Sequence, residues 1–293
     1  MFILFFRKPA IRFFSKTYLP QILAFEFLTA TYICIYNMAS KKKKNKLSWF
    51  IFLILLISGG LMLFFGIRWY LYYRVATIHY PAFNIPIPSN YMIHGIDVSR
   101  YQDLVAWEEV KKMEDQDIKL GFAFIKATEG IGNRDIQFKR NWRRSKNAGM
   151  VRGAYHFFLA TKDGKAQAEN FIKTVDLEKN DLPPVLDVEL TYGVSPTKIR
   201  TEVKKWLDVA EAYYGVRPII YTNIDFYTKV LGDEFDDYPL WIAHYYQPGK
   251  PRIKRSWVFW QHSEEGRVNG IKSKVDFNVF NGDSTDFKNL LID

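Results

Sequence analysis

Cysteine is almost absent from this 293-residue chain; Cys34 is the only one. From about Tyr91 onward there is none, which excludes a disulfide, a thiolate zinc site and a cysteine nucleophile there. Acid is equally scarce at the start. Residues 1–90 hold 11 Lys/Arg and a single acid, Glu26, so this third carries the entire net charge of +10. Residues 91–293 hold 30 basic and 30 acidic side chains. The basic excess lies beside a hydrophobic run, so it gives no reason to expect a nucleic-acid partner. Three motifs are also missing. No Gly-rich phosphate loop follows the first strand, no HExxH pair occurs, and Ser99 has no GxSxG context. A dinucleotide fold, a zinc-dependent hydrolase and a serine hydrolase lose support accordingly. No metal and no cofactor is expected.

One long hydrophobic run is present. Leu47–Ile67 reads LSWFIFLILLISGGLMLFFGI, 21 residues without a charge. A helix of that length reaches roughly 30 Å, the thickness of a bilayer core. Lys41–Lys44 and Lys46 precede it, and Arg68 and Arg74 follow. The denser cluster is expected to stay cytoplasmic, which places the C-terminal part outside. Trp49 and the group Trp69, Tyr70, Tyr72 and Tyr73 suit the two interfaces. A cleaved signal peptide is the rival reading, but the run is long for one and no A-x-A-like site follows. The expected organisation is a basic segment 1–46, an anchor 47–67, an extended proline-bearing stalk 68–90 and a globular domain 91–293. Residues 21–36 are apolar apart from Glu26 and offer a second span. Met38-Ala-Ser-Lys-Lys-Lys-Lys instead reads as a natural beginning for a signal anchor, so translation is expected to start at Met38 and leave residues 1–37 out.

Within the domain, short apolar runs alternate with amphipathic stretches. Strands are predicted at 93–98, 121–128, 151–158, 184–189, 218–222, 240–244, 257–261 and 274–278. Runs such as GFAFIKAT suit strands covered on both faces. Helices are predicted at 104–114, 137–148 (stopped by Gly149), 165–175 and 196–214, the last with Ser195 as N-cap and Pro196 in the first turn. Eight strands with intervening helices predict an α/β fold, an irregular (β/α)8 TIM-like barrel behind a single transmembrane helix. A doubly wound open sheet is the alternative.

In such a barrel, reactive groups stand at the C-terminal strand ends. Those positions give Asp97 (GIDVSRYQ), Glu129 (FIKATEG), Tyr155 and His156 (GAYHFF), Asp187 and Glu189 (PPVLDVE). They continue with Tyr221 and Asn223, Trp241 and His244, Trp260 and Gln261, and Asp276. Residues i and i+2 on a strand share a face, so Asp187 and Glu189 would enter the barrel mouth together. Two anions so close cannot both ionise freely, so one pKa is expected to rise. An acid holding its proton beside an ionised carboxylate suits cleavage of a glycosidic bond. Alone, an Asp-x-Glu is more often a solvated strand end; Asp97 and Asp276 at two further ends shift the balance towards a site. Tyr155, Tyr221, Trp241 and Trp260 would offer flat platforms to pyranose rings. His156 and His244 are expected as structural hydrogen-bonding groups, and Lys139, Arg140, Arg143 and Arg144 as a solvated helix face.

These strings, together with AGMVRGAYHFF, RPIIYTN, PLWIAHY, WVFWQHS and VDFNVFNG, resemble the family 25 glycoside hydrolases, the Chalaropsis-type lysozymes. The match runs over about residues 93–282. The resemblance implies hydrolysis of the β-1,4 bond between N-acetylmuramic acid and N-acetylglucosamine in peptidoglycan, with retention. It implies Glu189 as general acid/base, with Asp187 stabilising the transition state or holding the substrate's acetamido group. Asp97 and Asp276 would be the other acids, with Tyr155 beside them. From the strand-end reading, Tyr221, Trp241, Trp260, Gln261 and Glu129 are expected to bind the substrate. A monomer, tethered to a membrane and acting outside it, is expected. Alternatives are a chitin- or N-acetylglucosamine-directed hydrolase on the same barrel and a tethered, non-catalytic glycan-binding protein.

Overall fold

A computed structural model of the chain describes residues 46–293. The beginning at Met38, the basic cluster 41–44 and the second apolar stretch 21–36 lie outside the described residues. Helix α1, Lys46–Ala76, contains one stretch, Ser48–Leu71, long and apolar enough to cross a membrane. The Ser58 hydroxyl within it donates to the Leu55 carbonyl at 3.0 Å, so this polar group is satisfied inside the helix.

Residues 68–293 make a second compact unit. Contrary to the expected stalk, residues 77–88 form a hairpin, with β1 (Thr77–Tyr80) antiparallel to β2 (Ile85–Pro88). Tyr80, Phe83, Ile85 and Ile87 are buried in the domain's core. The Phe83 ring meets Phe277 edge-on at 5.3 Å, and the Arg267 amide donates to the Phe83 carbonyl at 2.9 Å. Prolines are tolerated because β2 pairs only with β1, leaving an edge that needs no donor.

The main sheet contains β3 (His94–Val98), β5 (Ile118–Glu129), β7 (Val151–Phe157), β8 (Val185–Asp187), β9 (Ile219–Asn223), β10 (Leu240–Ala243), β11 (Phe259–Gly266) and β12 (Val275–Phe280). Each coincides with a predicted strand. Two short strands, β4 (Glu114–Asp115) and β6 (Asn133–Arg134), pair with the ends of β5. The order is β3-β12-β11-β10-β9-β8-β7-β5, and β3 also pairs with β5, so eight strands close into a barrel-like sheet. The regular alternation fails at the end. β12 is antiparallel to both β11 and β3, whereas the other neighbours are parallel. An antiparallel neighbour needs no crossover, which is why residues 267–274 between them hold no helix.

Five helices of six residues or more accompany this sheet: α2 (Trp107–Lys112), α3 (Phe138–Asn147), α4 (Gly164–Ile172), α5 (Pro196–Tyr214) and α6 (Ser284–Leu290). Gly149 follows α3 at a φ of 74°, the left-handed conformation that stops a helix. Ser195 does hold the N-cap position of α5, but its side chain makes no capping bond there. The unforeseen α6 is capped by Asp283, which accepts from the Thr285 and Asp286 amides.

Two apolar layers result. Outside the sheet, Phe171 of α4 and Trp206 of α5 pack on each other at 5.5 Å and on His156 of β7. Inside it, Phe122 and Phe124 of β5 pack against Phe259 at 5.0 and 5.1 Å. Burial of each such ring contributes about 1.5–3 kcal/mol. Gly95 and Gly153 make room for them, since a Cβ at either would lie 2.5 Å from the Phe122 or Phe124 ring. Phe287 of α6 adds to this plug, 5.7 Å from Phe122 and 5.0 Å from Phe280. The interior is therefore solid at one end, and polar side chains collect at the other.

Candidate active site

Alternation along the strands decides which residues reach that polar end. Asp97 on β3 lies directly across from Asp276 on β12. Because β12 runs antiparallel, Asp276 stands near its start, not at the strand end that a parallel barrel would require. Asp187 is the last residue of β8, and Glu189 follows two positions on. All four acids line one cleft of about 340 Å³, together with Tyr155, Tyr221, Trp241 and Gln261.

The two pairs of acids are held differently. Asp97, 6% exposed, accepts at one oxygen from Gln261 Nε2 and Asn278 Nδ2, both at 2.8 Å. Asp276 adds a hydrogen bond to Asp97. Burial raises the pKa of both; for Asp276, the Asp97 charge and the shared hydrogen bond help push it up to about 9. The proton of this pair therefore belongs on Asp276, while two amide donors favour the anion on Asp97.

Asp187 has no such support. It is buried, and its Oδ1 has no hydrogen-bond partner among the described residues. Burial and then the Glu189 charge hold its pKa well above the usual carboxylate range. Glu189 is only partly buried, and burial and then the Asp97 charge raise it too. The Lys126 ammonium opposes both shifts. The cleft thus holds at least one protonated acid, one supported anion and one unfilled acceptor at neutral pH.

The sequence model of glycosyl hydrolases family 25 matches residues 96–271. The chain belongs to that family. As a family 25 member it is a glycoside hydrolase. It is 48% identical over 201 residues to the uncharacterized protein YegX of Escherichia coli K12, covering 69% of this chain and 74% of that one. It is 36% identical to lysozyme M1 of Streptomyces globisporus, covering 65% and 68%. Among solved structures, a family 25 glycosyl hydrolase from Bacillus anthracis superposes with a TM-score of 0.65 at 33% identity, covering 70% of this chain and 96% of that chain.

Of the strand-end aromatics expected as sugar platforms, Trp260 lies outside the cleft, while Trp241 and Tyr221 line it as buried floor. Trp260 does not reach the cleft. Gln261, its neighbour on β11, faces inward, so Trp260 must face outward, where it packs on Tyr91 and Trp257 and donates to the His244 carbonyl at 2.9 Å. Trp241 lines the cleft but is only 2% exposed; it stacks on Phe124 at 4.3 Å and donates to Asn278 Oδ1 at 2.8 Å. Tyr221 is likewise buried and donates to Gln261 Oε1 at 2.8 Å. These two are the floor that orients Gln261 and Asn278 towards Asp97. Glu129 is held by Lys126 at 2.7 Å and is not part of the cleft lining. Tyr155 lines the cleft, its hydroxyl pKa raised by burial and by the acids.

Sequence reasoning missed Lys126, Tyr245, Glu264 and Asn278. Lys126 is the cation inside the acidic cleft, and Tyr245 donates to Gln261 Oε1 at 2.6 Å. Period-two counting from Phe122 and Phe124 would have found Lys126, and from Asp276 it would have found Asn278. The expected structural histidines behave differently from the acids: His156 bonds Thr128 at 2.7 Å and Gln167 at 3.2 Å, far into the outer core. Among the described residues no three of His, Cys, Asp or Glu are grouped to hold a metal ion.

A stability test of the Asp97–Asp276 pair follows from its proton. A folded-state pKa raised to about 9 stabilises the fold below the ordinary Asp value, and that contribution is lost as pH rises towards 9. Asp276→Asn stays neutral throughout. It should therefore gain about 1–3 kcal/mol over the wild type at about pH 8 and little at about pH 4, read from urea melts. Equal differences at both pH values would show that Asp276 carries no such proton.

Proposed function

We propose that this glycoside hydrolase is a membrane-anchored lysozyme that cleaves peptidoglycan between N-acetylmuramic acid and the following N-acetylglucosamine, with retention. The observation that carries the mechanism is the unfilled Asp187 Oδ1 beside the partly exposed Glu189. Glu189, protonated at rest, gives its proton to the leaving O4 as the C1–O4 bond breaks. Asp187 accepts the muramic acetamido N–H, aiming that group's carbonyl oxygen at C1, to which it bonds. Glu189, now anionic, then takes a proton from water, whose oxygen replaces the acetamido oxygen at C1. Attack from opposite faces in the two steps gives retention. Asp97 and Asp276 supply fixed negative charge and a proton near the developing cation, in a cleft where burial strengthens both. Tyr155 completes the wall against which the sugar rests.

Anchoring is supported by the apolar stretch Ser48–Leu71. With the lysine cluster Lys41–Lys44 kept in the cytoplasm, the barrel stands on the outer side, where its polymer is. A single assay tests activity and location together. Carbonate-washed membranes carrying the full chain should digest peptidoglycan and release fragments ending in reducing muramic acid, read by mass spectrometry. Fragments ending in reducing N-acetylglucosamine, or activity found only in the wash, would refute this reading.

A further inference from the structure

Five acids line the catalytic cleft, Asp97, Asp187, Glu189, Glu264 and Asp276, against a single cation among its lining residues, Lys126. Such a cluster cannot carry full charge, and the place of its one counter-charge decides which member ionises. The side chain of Lys126 leaves β5 opposite Tyr155 of β7. Its ammonium lies 4.5 Å over the ring of Phe157, two residues further along the same face of β7. Phe157 is paired in turn with Asp187 on the next strand, β8. The ammonium therefore reaches across β7 towards Asp187, and its charge favours the anions of both Asp187 and Glu189.

Lys126 is held in that place. Its side chain is 12% exposed, and Nζ lies 2.7 Å from Glu129 Oε2. Residues i and i+3 of a regular strand point to opposite faces, so this pair could not form on one. The register of β5 against β7 shifts between Lys126 and Thr128, and that irregularity brings Glu129 round to Lys126. Glu129 does not line the cleft, so the pair turns its positive end to the acids. The other charges nearby leave this role to Lys126. The exposed Arg100 interacts with Glu129 but does not line the cleft. Asp97 and Asp276 answer chiefly to burial, to two amides and to each other, and Glu264 adds its charge on the Asp276 side. Burial above all keeps the hydroxyls of Tyr155, Tyr192, Tyr221 and Tyr245, and the His156 ring, neutral.

We propose that Lys126, clamped by Glu129 and Phe157, is a positioning residue of the reaction, whose ammonium lets Asp187 carry charge beside a protonated Glu189. It acts through the two acids. This deepens the muramidase reading and rests on it. Glu129, outside the cleft, then has a part as well: it fixes the ammonium and tempers its charge.

The pH profile of kcat, measured with the full chain in detergent on peptidoglycan by the release of reducing muramic acid, tests it. Lys126→Met keeps an aliphatic stem on Phe157 and removes the charge. Both acids then ionise less readily, so the alkaline limb should move up by about one pH unit. Maximal kcat should fall about tenfold, as the Asp187 anion becomes that much scarcer. Glu129→Gln should do the opposite. Glutamine still accepts from the ammonium but no longer offsets it, so the limb should move down, by about half a unit. Damage to the fold would not produce opposite shifts. Lys126→Arg, which keeps the charge, should restore the limb. Should Lys126→Met unfold in a thermal melt, Glu129→Gln, at a part-exposed side chain, carries the test alone. A limb that the folded variants leave in place, or that both move the same way, overturns the proposal. So does a raised KM with an unmoved limb, which would make Lys126 a substrate contact. If the wild type releases no reducing muramic acid, the muramidase reading falls and the proposal with it. Wild-type activity whose limb ignores Lys126→Met removes the Lys126 role alone.

Discussion

Glu189→Gln is expected to lower kcat on peptidoglycan by about a hundred- to ten-thousandfold, the range a positioned general acid contributes. Glutamine keeps the size and both hydrogen-bonding ends of the side chain but has no proton to give to a leaving oxygen. The substitution removes a carboxyl whose pKa burial and the Asp97 charge raise. At neutral pH the variant should therefore be at least as stable as the wild type, which separates lost chemistry from lost fold. KM should change little, because the interaction removed acts on the breaking bond. The pH profile carries a second signature. Wild-type activity should fall as pH rises through the elevated Glu189 pKa, while the residual rate of the variant should lack that limb. A variant within tenfold of the wild-type rate would take the acid role away from Glu189.

The barrel was legible in the sequence because each strand is a short, nearly continuous apolar run, and covered strands need that composition. Its closure was less so. Nothing in KVDFNVFNG says that β12 runs against its neighbours; only the missing helix between Gly266 and Val275 hinted at a short antiparallel return. The hairpin was misread because prolines drew attention away from Tyr80, Phe83, Ile85 and Ile87, whose apolar side chains needed a surface to cover. At the site, the acids were legible as strand-end residues, but parity was applied only to Asp187 and Glu189. Applied to β11, it forbids Trp260 and Gln261 from facing the cleft together. On β5 it holds as far as Lys126 and fails beyond it, since the register against β7 shifts between Lys126 and Thr128. That irregularity turns Thr128 outward to His156, and leaves Lys126 facing the acids while also holding Glu129.

Asp187→Asn should cost about a hundred- to a thousandfold in kcat, comparable to removing a group that stabilises transition-state charge. Asparagine can still accept from an acetamido N–H through its amide oxygen, so substrate binding should weaken modestly. What it cannot supply is the negative charge that lets the acetamido nitrogen become positive as its carbonyl oxygen bonds to C1. The wild-type carboxyl starts from an unfavourable state, buried with one oxygen unpartnered and its pKa held high. An acetamido N–H arriving at the Asp187 carboxyl from the cleft would favour the anion, so the substrate itself ionises the group that orients it. This coupling gives the decisive comparison. Wild-type enzyme on strands lacking the muramic N-acetyl group should lose about as much rate as Asp187→Asn loses on intact strands. Asp187→Asn on the deacetylated strands should then lose little more, because both changes remove one interaction. Fully multiplicative losses, or a trapped glycosyl ester on Asp187, would instead make the aspartate the nucleophile and remove the acetamido oxygen from the reaction.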